Sequence, residues 1–212
     1  MGEAKRRRTH CAYCGAPKVS DDHVPPKNLF PVDRTNLITV PACHQHNGER
    51  SNLDEKFRNY VATRVGNETP TTQELLDKTI RSVTRNKKIQ RWNPDISQFE
   101  VKIESDAFKP MIEWITRGLY WHVYKERLPL DTGMRIGQLR IGEWLPQFVS
   151  DMGRYRVGGD QFFWACQRMD DHPTVSVWVY VFHRRLIAMA MTDTLLSEKL
   201  IDAHQASNGI AV

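Results

Sequence analysis

Cys11-Ala12-Tyr13-Cys14 and Cys43-His44-Gln45-His46 are two short pairs of metal-ligating side chains about 30 residues apart. Two thiolates three positions apart come off one tight knuckle and reach the same tetrahedral ion, and a second pair completes its shell. The expected set is Cys11, Cys14, Cys43 and His46 around a structural Zn²⁺, because thiolate and imidazole suit zinc and zinc brings no redox chemistry. His44 competes for the fourth position. His46 is preferred because Cys43-x-x-His46 repeats the spacing of the first knuckle. A redox pair would sit in a thioredoxin-like βαβ pattern, which this segment lacks. Cys166 stands alone in an apolar strand and reads as a small buried hydrophobe. Four cysteines in 212 residues do not make a disulfide scaffold, and their clustering points to a reducing cytoplasm.

Between the pairs lie Asp22-His23-Val24-Pro25-Pro26 and Asn36-Leu37-Ile38; Asn47 follows the second pair directly, with Arg50-Ser51 behind it. In this order the segment resembles the HNH endonucleases, the ββα-metal nucleases. Their Asp/His-His, Asn and closing His or Asn are commonly wrapped between two zinc knuckles. The resemblance covers residues 11–52, about a fifth of the chain. It departs from the usual pattern at His46, where cysteine is commoner, and at Asn47, where the name-giving residue is histidine.

The resemblance implies hydrolysis of phosphodiester bonds, in DNA most of all, with His23 as the general base that activates water. It implies Asp22 and Asn47 as ligands of a catalytic Mg²⁺ or Mn²⁺, Asn36 as the residue fixing the His23 loop by hydrogen bonds, and Arg50 as a phosphate contact. The residue types suit that chemistry. An imidazole titrating near pH 6.5 is a fit general base at neutral pH. A carboxylate and a carboxamide oxygen are hard ligands that leave most of a divalent ion's shell to water and phosphate. On an extended strand Asp22 and His23 point to opposite sides, so that one holds metal while the other reaches water.

The elements that must position these residues are only partly visible. Few bulky apolar residues lie between 11 and 52, a core too small to hold the segment without help from a metal. Leu53, Phe57, Tyr60 and Val61 predict a helix from Leu53 to Val65. A second helix is expected with Thr71 or Thr72 as N-cap, Leu76, Ile80 and Val83 on its buried face, and an end at Asn93-Pro94. Beyond residue 97 a separate α+β domain is expected: a strand over Phe99–Glu104, a helix over Asp106–Leu128, a strand over Met134–Ile141, a short helix over Glu143–Met152, and a meander over Gln161–Met169, Val175–Val181 and Leu186–Met191. Asp170-Asp171-His172-Pro173 repeats the letters of the Asp22-His23 segment but reads as a hairpin turn. The whole is thus α+β: a basic arm (1–10), a zinc-stabilised ββα module (11–60), a helical connector (61–96) and the second domain (97–212).

Charge agrees with that division. The chain carries +5 overall, yet residues 1–96 hold 17 Lys and Arg against 11 Asp and Glu, and residues 97–212 hold 13 against 14. The basic excess lies with the motif and favours a polyanionic partner there. Arg81, Arg85 and Lys88, on one helical face with Lys78, are candidates for nucleic-acid phosphates or else a solvated surface. No apolar run approaches a membrane span, and MGEAKRRRTH leads into no apolar stretch of a secretory signal. Outward-facing aromatic residues of the second domain offer a surface for a homodimer. The alternative functions are a non-catalytic zinc module that binds nucleic acid, and a nuclease governed by a sensing C-terminal domain.

Overall fold

The structure, a computed structural model, describes residues 9–85, 90–93, 98–101, 105–139 and 153–193. Its architecture is α+β. Strands β1 (Ser20–His23) and β2 (Thr39–Ala42) form an antiparallel hairpin, with Asp22 opposite Val40 and His23 opposite Thr39. The single turn α1 (His44–Asn47) follows, then the long helices α2 (Ser51–Val65) and α3 (Pro70–Arg85). A second hairpin joins β3 (Gln90–Asn93) to β4 (Gln98–Val101). After α4 (Phe108–Tyr124) comes a five-stranded antiparallel sheet of β5 (Met134–Leu139), β6 (Gly153–Val157), β7 (Phe162–Arg168), β8 (Ser176–Phe182) and β9 (Leu186–Thr192). Its order is β5-β9-β8-β7-β6, a meander with β5 added at the far edge.

The meander matches the expected strands to within a residue or two. The Asp170–Pro173 segment is a hairpin turn, closed by Met169 N–H on the Val175 carbonyl and Val175 N–H on the His172 carbonyl. Other expectations fail for local reasons. Helix α3 starts at Pro70 with Thr69 as its N-cap: Thr72 N–H donates to Thr69 Oγ1 and Thr69 N–H to Thr72 Oγ1. That reciprocal box lets the proline take the first helical position, where no N–H is needed. The buried face of α3 is Thr72, Leu75, Thr79 and Val83, and Ile80 is 53% exposed. Two buried threonines hid that face from an apolar count. The helix ends at Arg85, and Gln90–Asn93 is a strand rather than its last turn. The helix expected over Glu143–Met152 lies outside the described residues, as do Lys102–Glu104 and Lys88.

The expected boundary near residue 97 does not separate two cores. One continuous cluster of buried side chains runs from Cys11, Val24, Phe30 and Val40 through Phe57 and Val61 to Ile112, Trp178 and Ala190. Helix α4 lies at its centre. One side meets the sheet, where Thr116 Oγ1 hydrogen-bonds the Tyr180 hydroxyl at 2.7 Å and Tyr120 donates to the Pro173 carbonyl. The other side meets the N-terminal hairpin at Gly118, where a Cβ would stand 2.7 Å from Val24 Cγ2 and 3.0 Å from the Tyr13 hydroxyl.

The close approach at Gly118 generates a prediction. Alanine normally stabilises a helix interior by about 1 kcal/mol over glycine. Here the added methyl pushes into Val24 and Tyr13, and overpacking of this kind costs about 1–3 kcal/mol. Urea unfolding should therefore show Gly118→Ala to be less stable than the parent, the reverse of the propensity order.

Candidate metal centre and adjoining cavity

The first knuckle closes on itself through Cys11 N–H to the Ala16 carbonyl (2.7 Å) and Gly15 N–H to the Cys11 carbonyl (3.0 Å). Ala12 N–H then reaches the Pro41 carbonyl of β2, so the knuckle is stitched to the strand that carries Cys43 at its end. Helix α1 turns His46 back over the knuckle. The ligand atoms of Cys11, Cys14, Cys43 and His46 all lie within 4.8 Å of one another. Cys14 Sγ stands 3.8 Å from Cys43 Sγ; His46 Nδ1 stands 3.1 Å from Cys43 Sγ and 3.7 Å from Cys11 Sγ. A tetrahedral ion with Zn–S bonds of about 2.3 Å spaces its thiolates about 3.8 Å apart. The group can hold a metal ion, and its donors and spacing are consistent with a structural zinc. His44 is exposed and stands outside the group. Among the described residues no other three Cys, His or carboxylate side chains gather this closely.

Asp22 and His23 leave β1 on opposite sides, as an extended strand requires. Asp22 turns inward and is 3% exposed. Its Oδ2 accepts from the Tyr13 hydroxyl at 2.6 Å and from Trp114 Nε1 at 3.2 Å, and its Oδ1 takes Arg50 Nη2 at 2.7 Å. Burial raises the Asp22 carboxyl above its ordinary range against the opposing pull of Arg50 and Tyr13. The Tyr13 hydroxyl is held protonated, well above its usual value, by burial and by the Asp22 charge. Arg50 also binds Asp54 through Nε at 2.9 Å and lies over the Trp114 ring, 4.9 Å from its centroid. Trp114 in turn stacks on Tyr13 and on His46.

This arrangement corrects two expectations. Arg50, 7% exposed and paired with two carboxylates, is no surface contact for phosphate. Asp22 is not an open metal ligand either: both oxygens are taken and its charge is already neutralised. Asn47 donates its amide to Ser20 Oγ at 2.7 Å and to the Asp21 carbonyl at 3.3 Å, on the Asp22 side of the strand. As folded, then, this pair does not fit a divalent ion, which reaches Asp22 only by displacing a guanidinium.

His23 faces the other way. Among the described residues its imidazole makes no hydrogen bond. Partial burial, with Lys27 and Arg34 nearby, holds it below its ordinary value against the pull of Asp21, so it is neutral at pH 7. It lines an open cavity of about 260 Å³ together with Asn47, Lys27, Asn28, Ser51 and Asp54, with Asp22 in the wall. Asn28 donates Nδ2 to the Asp54 carbonyl, and its Oδ1 is buried with no partner among the described residues. Lys27, Asn28 and Asp54 escaped the sequence reading, and Ser51 was named there without a role of its own. Only Asp54 carried a signal there, four residues after Arg50, the spacing of a helical ion pair.

No protein-family model, curated protein or solved structure matches this chain.

Asn36 sits elsewhere than expected. It is exposed, with φ of 56°, and among the described residues its side chain bonds nothing. An asparagine tolerates this left-handed conformation, and that is its part in the turn. The loop after His23 is fixed instead from the large sheet. Gly158 N–H donates to the Thr35 carbonyl at 3.0 Å, Gln161 Nε2 to the Asp33 carbonyl at 2.7 Å, and His183 Nε2 to the Leu29 carbonyl at 3.1 Å. Burial lowers His183 to about 4, so its ring stays neutral while it donates. Phe30 packs closely against Gly158, where a Cβ would come within 2.3 Å of the ring. Arg81 and Arg85 are exposed on α3.

The metal centre should be visible in elemental analysis as about one zinc per chain. Cys43→Ser, which removes a thiolate facing both Cys14 and His46, should lose that zinc and unfold at lower urea than the zinc-loaded parent, while chelator should bring the parent down towards the variant. Parental zinc content in Cys43→Ser would show the ion to be held elsewhere.

Proposed function

We propose that this chain is a phosphodiester hydrolase of the HNH type, acting on DNA at the cavity beside His23. The observation that supports this reading is the placement of His23. A neutral imidazole with free ring nitrogens stands on the open side of a ββα unit, one residue from a strand position locked by three buried donors. It shares the cavity with Asn47, whose amide is held by Ser20 Oγ and the Asp21 carbonyl.

A general base must be unprotonated, unencumbered and held still, and His23 meets each condition by a different device. Burial and the neighbouring cations keep it neutral. The strand directs it away from Asp22. The clamped loop keeps its far side in register. It takes a proton from water while Lys27, exposed at the cavity rim, attracts the phosphate.

One specific observation favours a second reading. Arg50 already neutralises Asp22, and a site without a free carboxylate is what a non-catalytic nucleic-acid-binding module would show. A nicking assay on supercoiled plasmid separates the two, run with zinc-loaded protein and with Mg²⁺, Mn²⁺ or no added ion. The hydrolase reading expects nicking by the parent and a fall of about 100-fold or more in His23→Ala, the range lost with a general base, at unchanged zinc content. Undiminished nicking by His23→Ala removes His23 from the chemistry. Binding without nicking under any ion condition supports the second reading.

A further inference from the structure

The antiparallel packing of α2 on α3 leaves an open cleft of about 650 Å³ on the outer side of the two helices. Six side chains line it: Glu55, Arg58, Lys78, Arg81, Ser82 and Arg85. Four are cationic. The acids nearby are fewer and already engaged: Glu55 takes the Ser82 hydroxyl and lies 3.6 Å from Arg58, while Glu74 stands 3.3 Å from Arg81 and 4.0 Å from Lys78. Arg85 has no ion pair among the described residues. Concentrating like charge in this way costs free energy in the absence of an anion. Lys78 records that cost, held below its ordinary value by burial, with Arg34, Arg81 and Arg58 adding to it against Glu74.

The cleft and the His23 cavity share no lining residue, and the loop that follows His23 carries cations close to both. Lys78 donates to the Pro31 carbonyl at 3.3 Å and Arg34 Nε to the Phe30 carbonyl at 3.0 Å, so both grip the same turn of the loop that follows His23. Arg34 contributes positive potential to Lys78 on one side and to His23 on the other. Lys27 continues the series to the cavity rim. The sequence shows the α3 cations as one helical face but hides Arg58, Arg34 and Lys27, which arrive from α2 and from the loop.

We infer that the α2–α3 cleft, with Arg58, Lys78, Arg81 and Arg85 as its cations and Arg34 as the bridge, is a track for the backbone phosphates of duplex DNA leading to the His23 cavity. This deepens the proposed function by assigning the flanking part of the substrate, and it rests on a nucleic-acid partner rather than on catalysis. A groove whose lining side chains are charged or hydroxylic, with no aromatic ring among them, reads phosphates and not bases. Its contribution is therefore electrostatic, independent of sequence and sensitive to salt.

The test uses the full-length, zinc-loaded His23→Ala protein, so that binding is measured without cleavage, and a labelled duplex of about 20 base pairs titrated across a salt series. Each phosphate contact contributes about 0.9 to the slope of log K against log salt, so Lys78→Gln/Arg81→Gln/Arg85→Gln should flatten that slope by about 2–3 units. A control carrying Lys109→Gln, Arg156→Gln and Arg184→Gln makes the same change in net charge on the other half of the chain and should leave the slope near the parental value. Arg34→Gln alone should flatten it by about one unit. Equal slopes in the cleft variant and the parent, equal flattening in the control, or no binding of duplex at low salt would each overturn the proposal. Melting curves of all variants show whether each is folded. Should the unmutated protein bind with the expected slope yet never nick plasmid, the hydrolase reading fails while the track stands.

Discussion

A carboxylate with almost no water around it has to be held by donors, and Asp22 meets three from three parts of the chain. Tyr13 belongs to the first metal-binding knuckle, Arg50 opens α2, and Trp114 lies 92 residues away on α4. An unpaired buried charge is among the costliest features a fold can carry, so losing any one donor exposes the others to that cost. The same side chains also stack: Tyr13, His46 and Trp114 lie face to face, with Arg50 over the indole. The network therefore fixes the knuckle, β1, α2 and α4 relative to one another. The Cys3His group, which can hold a metal ion, includes both Cys43 before α1 and His46 within it, the turn that carries Asn47.

The C-terminal half has a physical part in this arrangement. Its sheet turns grip the loop that follows His23 at the Leu29, Asp33 and Thr35 carbonyls. Three backbone carbonyls held from outside keep a long surface loop in one conformation. This accounts for a C-terminal half of nearly neutral charge. It holds the loop in place, and the basic excess of the chain lies in residues 1–96.

What could be read from the residue order was whatever depended on short spacing. The Cys3His group, the opposite facing of Asp22 and His23, the α2 helix and the meander all follow from offsets of two, three or four residues. Other features depended on partners distant in sequence. Asp22 looked like an open ligand because Trp114 and its role as donor lay on an element whose docking no local pattern reveals. Arg50 looked like a phosphate contact for the same reason. Asn36 was assigned a bond that Gly158, Gln161 and His183 supply from the sheet. The buried core runs on past residue 97, and Gly118, where α4 comes close to Val24 and Tyr13, gives no hint of that in the sequence.

The central claim is that Asp22 holds the fold together through Arg50. A double-mutant cycle in urea unfolding tests it most directly, with Asp22→Asn, Arg50→Met and the pair measured in zinc-loaded protein. If the ion pair is buried and structural, each single variant loses about 3–5 kcal/mol, because each strands a polar or charged partner. The pair together should then lose far less than the sum of the two. Additive losses, or an Asp22→Asn protein as stable as the parent, would contradict the account and return Asp22 to the role of an open ligand.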